Sequence, residues 1–244
     1  MLSLLKTNKS VTVAELSKKF FIGETTIRKD LQKLEKMGQV KRTYGGAVLM
    51  EGNDAELPFA IRQMEQKNSK QIIGNIASGL VKSGDIIIMD SSSTAFNMIP
   101  FLIDKSNITV ITNGVKTAGE VNEKLQAKVY CTGGIMKENV PSLAGDHAIQ
   151  FMKNLYADVM FFSCKAISIE QGITDSYEDE AVLLSTMIER CKKIVLLCDS
   201  TKFDRINFRR ICNFDKIHCL ITDKNPSPRW IEFLSEKGVQ LMYG

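Results

Sequence analysis

Residues Val11 to Ala47 read VTVAELSKKFFIGETTIRKDLQKLEKMGQVKRTYGGA, and the order of polar and apolar residues here decides the architecture of the amino-terminal part. Thr12 followed three residues later by Glu15 has the pattern of a capping box, and Leu16 and Phe20 follow at i, i+4 spacing, so a short helix starts at this point. Phe21 to Glu24 supplies a turn. A second helix is expected from about Glu24 to Met37, with Ile27, Leu31 and Leu34 on one face and Thr25, Arg28, Lys29, Gln32 and Lys33 turned away from it. Gly38 then fits a left-handed cap. Two helices joined by so short a turn cross steeply, and the outer face of the second can enter a major groove about 12 Å wide. The segment Gln39 to Val48 alternates and carries Lys41, Arg42, Tyr44 and a Gly45-Gly46 break, the pattern of a β-wing that lies along a phosphate backbone. The candidate DNA contacts are therefore Thr25, Thr26, Arg28, Lys29 and Lys33 on the helix, with Arg42 and Tyr44 on the wing.

Charge points the same way. The 244 residues carry a formal net charge of +4, but residues 1–50 hold ten Lys/Arg against four Asp/Glu and the remainder 22 against 24. Positive charge is concentrated where phosphates would be met; a solvated face would explain the charge but not the residue order. At 44% hydrophobic residues the chain can bury a sizeable core. It has no run of about 18 apolar residues, and Met1 to Leu5 is too short, and too soon followed by Lys6 and Lys9, for a signal peptide. A cytoplasmic protein with no membrane association is expected. Six cysteines never form a CxxC, and only His147 and His218 are available beside them, so buried free thiols and no metal or other cofactor are expected.

The rest of the chain reads as α/β. Residues 51–66 are polar with one proline, Pro58, and read as a linker leading into a helix over Lys67 to Lys82. From Asp85 on, the strand-like runs DIIIMD, ITVIT, KVYCT, ADVMFFSC, KIVLLCD, IHCLIT and VQLMY alternate with helical segments such as Ala95 to Ile103 and Asp179 to Lys192. Such alternation implies a largely parallel sheet covered by helices, in which ligands bind beyond the carboxyl ends of the strands. Those ends carry Asp90-Ser91-Ser92-Ser93-Thr94, Asn113-Gly114, Gly133-Gly134 and Asp199 to Lys202. Hydroxyls and backbone N–H groups after the first strand suit a phosphate, glycines permit close approach, and Lys202 can neutralise an anion. Any single loop of this kind is equally well a turn; four at equivalent positions favour a ligand site.

The segment TTIRKDLQKLEKMGQVKRTYGGA resembles the signature of the DeoR family of bacterial transcriptional repressors through Thr26 to Leu31, Leu34-Glu35, Gly38 and the Arg42 to Ala47 wing. Gly23 stands where members usually carry a capping Ser, and only Leu2 to Leu5 precede Lys6-Thr7-Asn8 where members have a longer first helix. The second region is similar to the DeoR effector domain, whose fold resembles ribose-5-phosphate isomerase, through Asp90 to Thr94, Asn113-Gly114, Gly133-Gly134, Gly172 to Asp175 with Glu180-Ala181, and Asp199 to Phe203. The resemblance implies a winged helix-turn-helix over residues 1–50, a linker over 51–66 and a sugar-phosphate-sensing domain over 67–244. It also implies double-stranded operator DNA and a phosphorylated sugar as partners, with repression of carbohydrate uptake or catabolism genes. A departure falls at Phe161 to Ala166, where Lys165 puts a cation in place of an acid; Lys165 either helps hold an anionic ligand or points to solvent. The alternative is a sugar-phosphate isomerase or deaminase with an added DNA-binding domain. It lacks a base, because Asp175, Glu178 and Glu180 with Asp179 read as the acidic first turn of a helix. A single small winged helix gains specificity when paired on a repeated site, so a homo-oligomer, dimer or tetramer, is expected. The run with Trp230, Phe233 and Leu234 is a candidate for the interface, although a helix packed on its own sheet accounts for it better.

Overall fold

The computed structural model describes residues 1–8, 10–36, 40–49, 59–136 and 140–244. They divide into two compact units, Met1–Glu65 and Gln66–Gly244. The first unit runs α1 (Leu2–Asn8), β1 (Ser10–Thr12), α2 (Val13–Phe20), α3 (Glu24–Lys36), β2 (Val40–Thr43), β3 (Gly46–Leu49) and α4 (Phe59–Met64). Both halves of the capping box that starts α2 are formed: the Glu15 N–H donates to Thr12 Oγ1 at 3.1 Å and the Thr12 N–H to Glu15 Oε2 at 2.8 Å. The helix ends at Phe21, held in the left-handed region at φ 55. The carbonyl of Gly23 then accepts the N–H groups of Thr26 and Ile27 at 2.9 and 3.2 Å, so α3 starts with Gly23 as its cap.

The three strands form an antiparallel sheet in the order β1-β3-β2. Gly46 faces Thr12 across β1 and β3, and a Cβ there would overlap the Val11 carbonyl oxygen. The second glycine of the wing therefore serves strand approach rather than the turn alone. Leu5, Val11, Val13, Leu16, Ile27, Leu31, Val40, Ala47 and Leu49 make the core of this unit. Strand β1 was not expected, since three residues are too few to show an alternation. Helix α1 is short, yet it is long enough to bury Leu5 completely. Helix α4 falls inside the stretch read as linker, six residues being too short to display a period. The expected cap at Gly38 and linker residues 51–58 lie outside the described residues.

The second unit continues with α5 (Lys67–Ser78), β4 (Ile86–Met89), α6 (Ser93–Phe96), β5 (Thr109–Thr112), α7 (Val115–Lys124), β6 (Lys128–Cys131), β7 (Ile135–Met136), β8 (Leu143–Ala144), α8 (Asp146–Lys153) and β9 (Ala157–Phe162). There follow β10 (Ala166–Ser168), β11 (Gly172–Asp175), α9 (Glu178–Ile188), β12 (Cys191–Leu197), β13 (Arg209–Cys212), β14 (Cys219–Thr222), α10 (Pro228–Glu236) and β15 (Gln240–Tyr243). Seven strands form one sheet in the order β15-β14-β12-β9-β4-β5-β6, every neighbouring pair parallel. These are the seven apolar runs of the sequence.

Successive residues of the central strands face opposite sides. Ile87, Met89, Val159, Phe161, Val195 and Leu197 pack with α5, α6 and α7, whereas Ile88, Met160, Phe162, Ile194 and Leu196 pack with α8, α9 and α10. The first half of the unit thus covers one face and the second half the other, a doubly wound α/β arrangement. Trp230 and Leu234 of α10 are buried in the second layer, where the Trp230 ring meets Phe203, Phe214 and Phe233 edge-on, so this helix does pack on its own sheet. Two segments depart from the sequence reading. Ala95 to Ile103 forms only the end of α6 and a 3-10 turn over Ile99–Phe101, and Cys191 and Lys192 open β12 instead of closing α9. A small antiparallel sheet, β10-β11-β13, and the β7-β8 hairpin were also not expected. Cys164, Cys198 and Cys219 are buried and Cys131 is exposed. Burial pushes the Cys191 and Cys219 thiols up to about 11 and Cys212 to about 12, which keeps them protonated. Among the described residues no helix is long and apolar enough to cross a membrane, and no group of three side chains suits a metal ion.

Candidate functional site

In the first unit, α3 turns Ile27 and Leu31 inward at 0% and 1% exposure and leaves Thr25, Thr26, Arg28, Lys29, Gln32 and Lys33 in solvent. The five candidate contacts on this helix therefore share its outer surface. Arg28 is paired with Glu24 at 3.1 Å and Lys33 with Asp30 at 3.6 Å, both on the exposed surface. Such pairs are worth about 0.3–0.5 kcal/mol, so either cation can exchange its carboxylate for a phosphate or a base edge at little cost. On the wing, Tyr44 stands 88% exposed at the hairpin turn. Arg42 behaves differently. Its side chain is half-buried, its N–H donates to Glu35 Oε1 at 2.9 Å, and its guanidinium lies 3.9 Å from Glu35 Oε2, so it also ties β2 to α3.

In the second unit the strand order reverses between β4 and β9: the chain goes from β4 outward to β5 and β6, then returns to the other side of β4. Helices on either side of that point lie on opposite faces, which leaves a crevice at the carboxyl ends of β4 and β9. Asp90 follows β4 and Ser163 follows β9, and the two are bonded across the reversal. Asp90 Oδ2 accepts the Ser163 N–H at 2.9 Å, while Asp90 Oδ1 accepts the Ser92 N–H at 3.1 Å and its hydroxyl at 2.6 Å. Ser92 Oγ in turn accepts the Ala95 N–H at 3.0 Å. Asp90 and Ser92 are thus committed to shaping the loop, with Ser93 and Thr94 buried behind it and Ser91 half-exposed.

Lys202 reaches this network from the end of β12. Its Nζ donates to Ser163 Oγ at 2.7 Å and lies 3.6 Å from Asp199 Oδ2, with the side chain 18% exposed. Burial alone would lower its pKa, but Asp199, the Cys164 and Cys198 thiols and Asp90 together raise it, so the cation persists in the crevice. Burial likewise pushes Asp90 up to about 6 against the pull of its donors and Lys202. Because this lies above the ordinary 3.8, Asp90 contributes stability below about pH 4, and that contribution is lost as pH rises through 6. A carbon-13 carboxyl titration, assigned by comparison with Asp90→Asn, is expected to show a midpoint near 6; a midpoint near the ordinary value would mean that the three donors outweigh burial.

The other expected residues line the same edge. Asn113, 2% exposed, follows β5 and donates from Nδ2 to Ser142 Oγ and the Leu143 carbonyl at 3.2 and 3.3 Å. Gly114 packs against the first loop: a Cβ there would lie 3.0 Å from Ser91 Cα and 2.7 Å from Thr117 Oγ1. Gly133 and Gly134 follow β6 at φ 69 and 108, and a Cβ on Gly134 would come 2.5 Å from the Ala144 carbonyl. Lys165 follows Ser163 by two residues and donates its N–H to the Thr174 carbonyl of the small sheet. Asp90 and Lys202 are therefore joined through Ser163, Ser92 is bonded to Asp90, Ser91 packs against Gly114, and Gly133, Gly134 and Lys165 stand on neighbouring loops.

Ser163 was missed as a site residue. It ends an apolar strand, and only the strand order reveals that this strand borders the reversal. The acidic first turn of α9, Glu178 to Glu180, lies as expected at a helix start, with Glu178 3.7 Å from Arg209.

Comparison with known proteins covers both units. Residues 1–53 match the DeoR-like helix-turn-helix domain and residues 65–224 the DeoR C terminal sensor domain. The HTH-type transcriptional regulator YulB of Bacillus subtilis is 36% identical over 241 residues, spanning 99% of this chain and 93% of that protein. A putative aga operon transcriptional repressor of Escherichia coli is 30% identical over 240 residues, spanning 98% and 89%. Among solved structures, ribose 5-phosphate isomerase A of Methanocaldococcus jannaschii aligns with a TM-score of 0.42 at 13% identity, over 57% of this chain and 55% of that one.

Proposed function

The chain belongs to the DeoR family of helix-turn-helix transcriptional regulators, and from that premise we propose that it is a cytoplasmic repressor of carbohydrate genes, released from its operator by a phosphorylated sugar bound at the β4–β9 crevice. The observation that carries the ligand assignment is the Lys202 ammonium, held cationic between Ser163 and Asp199 at the mouth of a crevice rimmed by hydroxyls and glycines. A phosphate monoester matches it: an anion for Lys202, with neutral hydroxyls for Ser91 and Asn113. Operator contact is assigned to Thr25, Thr26, Arg28, Lys29 and Lys33 within residues 1–50, with Arg42 and Tyr44 on the wing. Residues 51–66 connect this domain to the sensing domain, 67–244. The name of the Escherichia coli relative favours repression. The protein acts as a homo-oligomer on a repeated site, and the ester shifts operator affinity by a coupling of about 1–3 kcal/mol. In this reading it catalyses no reaction, and Asp90 and Asp199 serve to shape the loops through the donors they accept.

The test is fluorescence anisotropy on DNA from upstream of its own operon, at fixed and stated salt, titrating hexose, pentose and triose phosphates. Specific binding weakened by one ester is expected; specific binding indifferent to every ester removes the ligand assignment. In the same assay Arg28→Ala is expected to cost about 1–3 kcal/mol of operator affinity and to relax sequence preference at one position. Unchanged preference with weaker binding would make Arg28 a phosphate contact instead.

A further inference from the structure

Two carboxylates at the carboxyl ends of neighbouring strands hold the turn that carries Lys202, and one of them, Asp223, is also bonded to the first turn of α5. Asp223, after β14, accepts the Ser200 N–H at 2.7 Å and the Ser200 hydroxyl at 3.2 Å, and also accepts the Ser69 hydroxyl at 2.8 Å. Asp199, after β12, accepts the N–H and hydroxyl of Thr201 and lies 3.6 Å from Lys202. Burial would raise its carboxyl pKa, but Lys202, Thr201 and Lys70 hold it below the usual range, and Lys70 is itself only 5% exposed.

Helix α5 is the first element of the second unit, and the residue before it, Gln66, adopts φ 51 with no side-chain cap. A non-glycine residue in this region is strained and persists where neighbouring structure fixes it. Its carbonyl accepts the Lys70 N–H at 2.9 Å, and Ser69 beside it is bonded to Asp223.

We infer that Ser69 and Lys70 are positioning residues that convert anion binding at Lys202 into a displacement of the first turn of α5, and through Gln66 of the chain leading to the DNA-binding unit. This rests on the effector reading given above. An anion that takes hydrogen bonds and charge from Lys202 competes with Asp199. Asp199 is then left with Thr201 and the more distant charge of Lys70, and the turn over residues 200–202 carries Asp223 and Ser69 with it. The helix is 12 residues long and its body is packed through Ile73 and Ala77, both at 0% exposure, so the displacement is confined to its first turn.

The experiment uses the full chain and compares the native protein with Ser69→Ala and Lys70→Met. Binding of ribose 5-phosphate, glucose 6-phosphate, fructose 6-phosphate and inorganic phosphate is measured by calorimetry. The shift each produces in DNA affinity is measured by anisotropy, and hydrogen exchange is followed in a peptide covering residues 66–78. Both variants are expected to bind the responding ester within about threefold of the native protein while its effect on DNA affinity falls by roughly fivefold or more. Ester-dependent protection in the α5 peptide is expected in the native protein and is lost in the variants. Ser69→Ala removes one hydroxyl from a half-buried position, so it keeps the test open if Lys70→Met fails to fold. Variants that bind the ester and retain the full DNA response overturn the coupling and leave the effector site standing. A native protein that binds none of the probes overturns the effector reading, and this inference with it.

Discussion

A Lys202→Gln protein is expected to bind operator DNA like the native protein and to show no response to any phosphate ester. Glutamine removes the charge and is one carbon too short to replace the 2.7 Å bond from Nζ to Ser163 Oγ, but the Ser163 hydroxyl keeps its own bond to the Leu197 carbonyl at 2.6 Å, so the loop retains an anchor. A hydrogen bond to a charged group contributes about 1.5–3 kcal/mol, so ester affinity is expected to fall about 10- to 100-fold. Asp199 loses its first cation and keeps Lys70 and Thr201, which predicts a lower melting temperature without global unfolding. Calorimetry with the responding ester and anisotropy with operator DNA separate the two effects. Unchanged ester affinity would move the anion site away from β12. Loss of DNA binding together with ester binding would show that Lys202 supports the fold rather than the ligand.

Ile27→Ala is expected to have the opposite pattern, abolishing DNA binding and sparing the sensor. Ile27 is fully buried on the inner face of α3, in a core with eight other fully or nearly buried side chains. Truncating a buried Ile to Ala costs about 2–5 kcal/mol. A unit of this size, Met1–Glu65, has a total stability of only about 3–10 kcal/mol at typical values per residue. The substitution therefore removes much or all of it. Circular dichroism and calorimetric melting should show an early transition for the first unit and a later one near the native temperature for the second, whose core clusters contain no residue of α3. Ester binding is expected to be unchanged. Retention of tight, specific DNA binding would mean that α3 is not the reading helix or that its inner face tolerates a cavity.

The parts of this protein legible in its sequence are those governed by local chemistry. The capping box at Thr12 and Glu15, the inward face Ile27 and Leu31 and the seven apolar strand runs all follow from spacing along the chain. Residues three or four apart share a helix face and alternate residues share a strand face whatever surrounds them. The short elements β1, α4, β7 and β8 were not legible, since two to six residues hold too few repeats to define a period. The β10-β11 hairpin is short in the same way, but the pairing of β11 with β13 was hidden for another reason: β13 lies more than 30 residues after β11, and nothing local to either announces it.

The candidate sites divide along the same line. Sequence alone determined that this chain has a basic helix-turn-helix with a wing and an α/β body with hydroxyls, glycines and Lys202 at its strand ends. Only the tertiary structure decided which of those ends meet. The strand order sets β9 beside β4, so Ser163, which ends an apolar run without any motif, bridges Asp90 and Lys202, residues 112 positions apart in the chain. It also decided that Asp90 and Ser92 spend their hydrogen bonds on the loop itself, and that Ser69 and Lys70 at the start of α5 lean on the carboxylates behind Lys202. The physical reason is that side-chain type and spacing specify what a segment can form, whereas the register and neighbours of a strand in a parallel sheet are fixed by long-range packing on both faces.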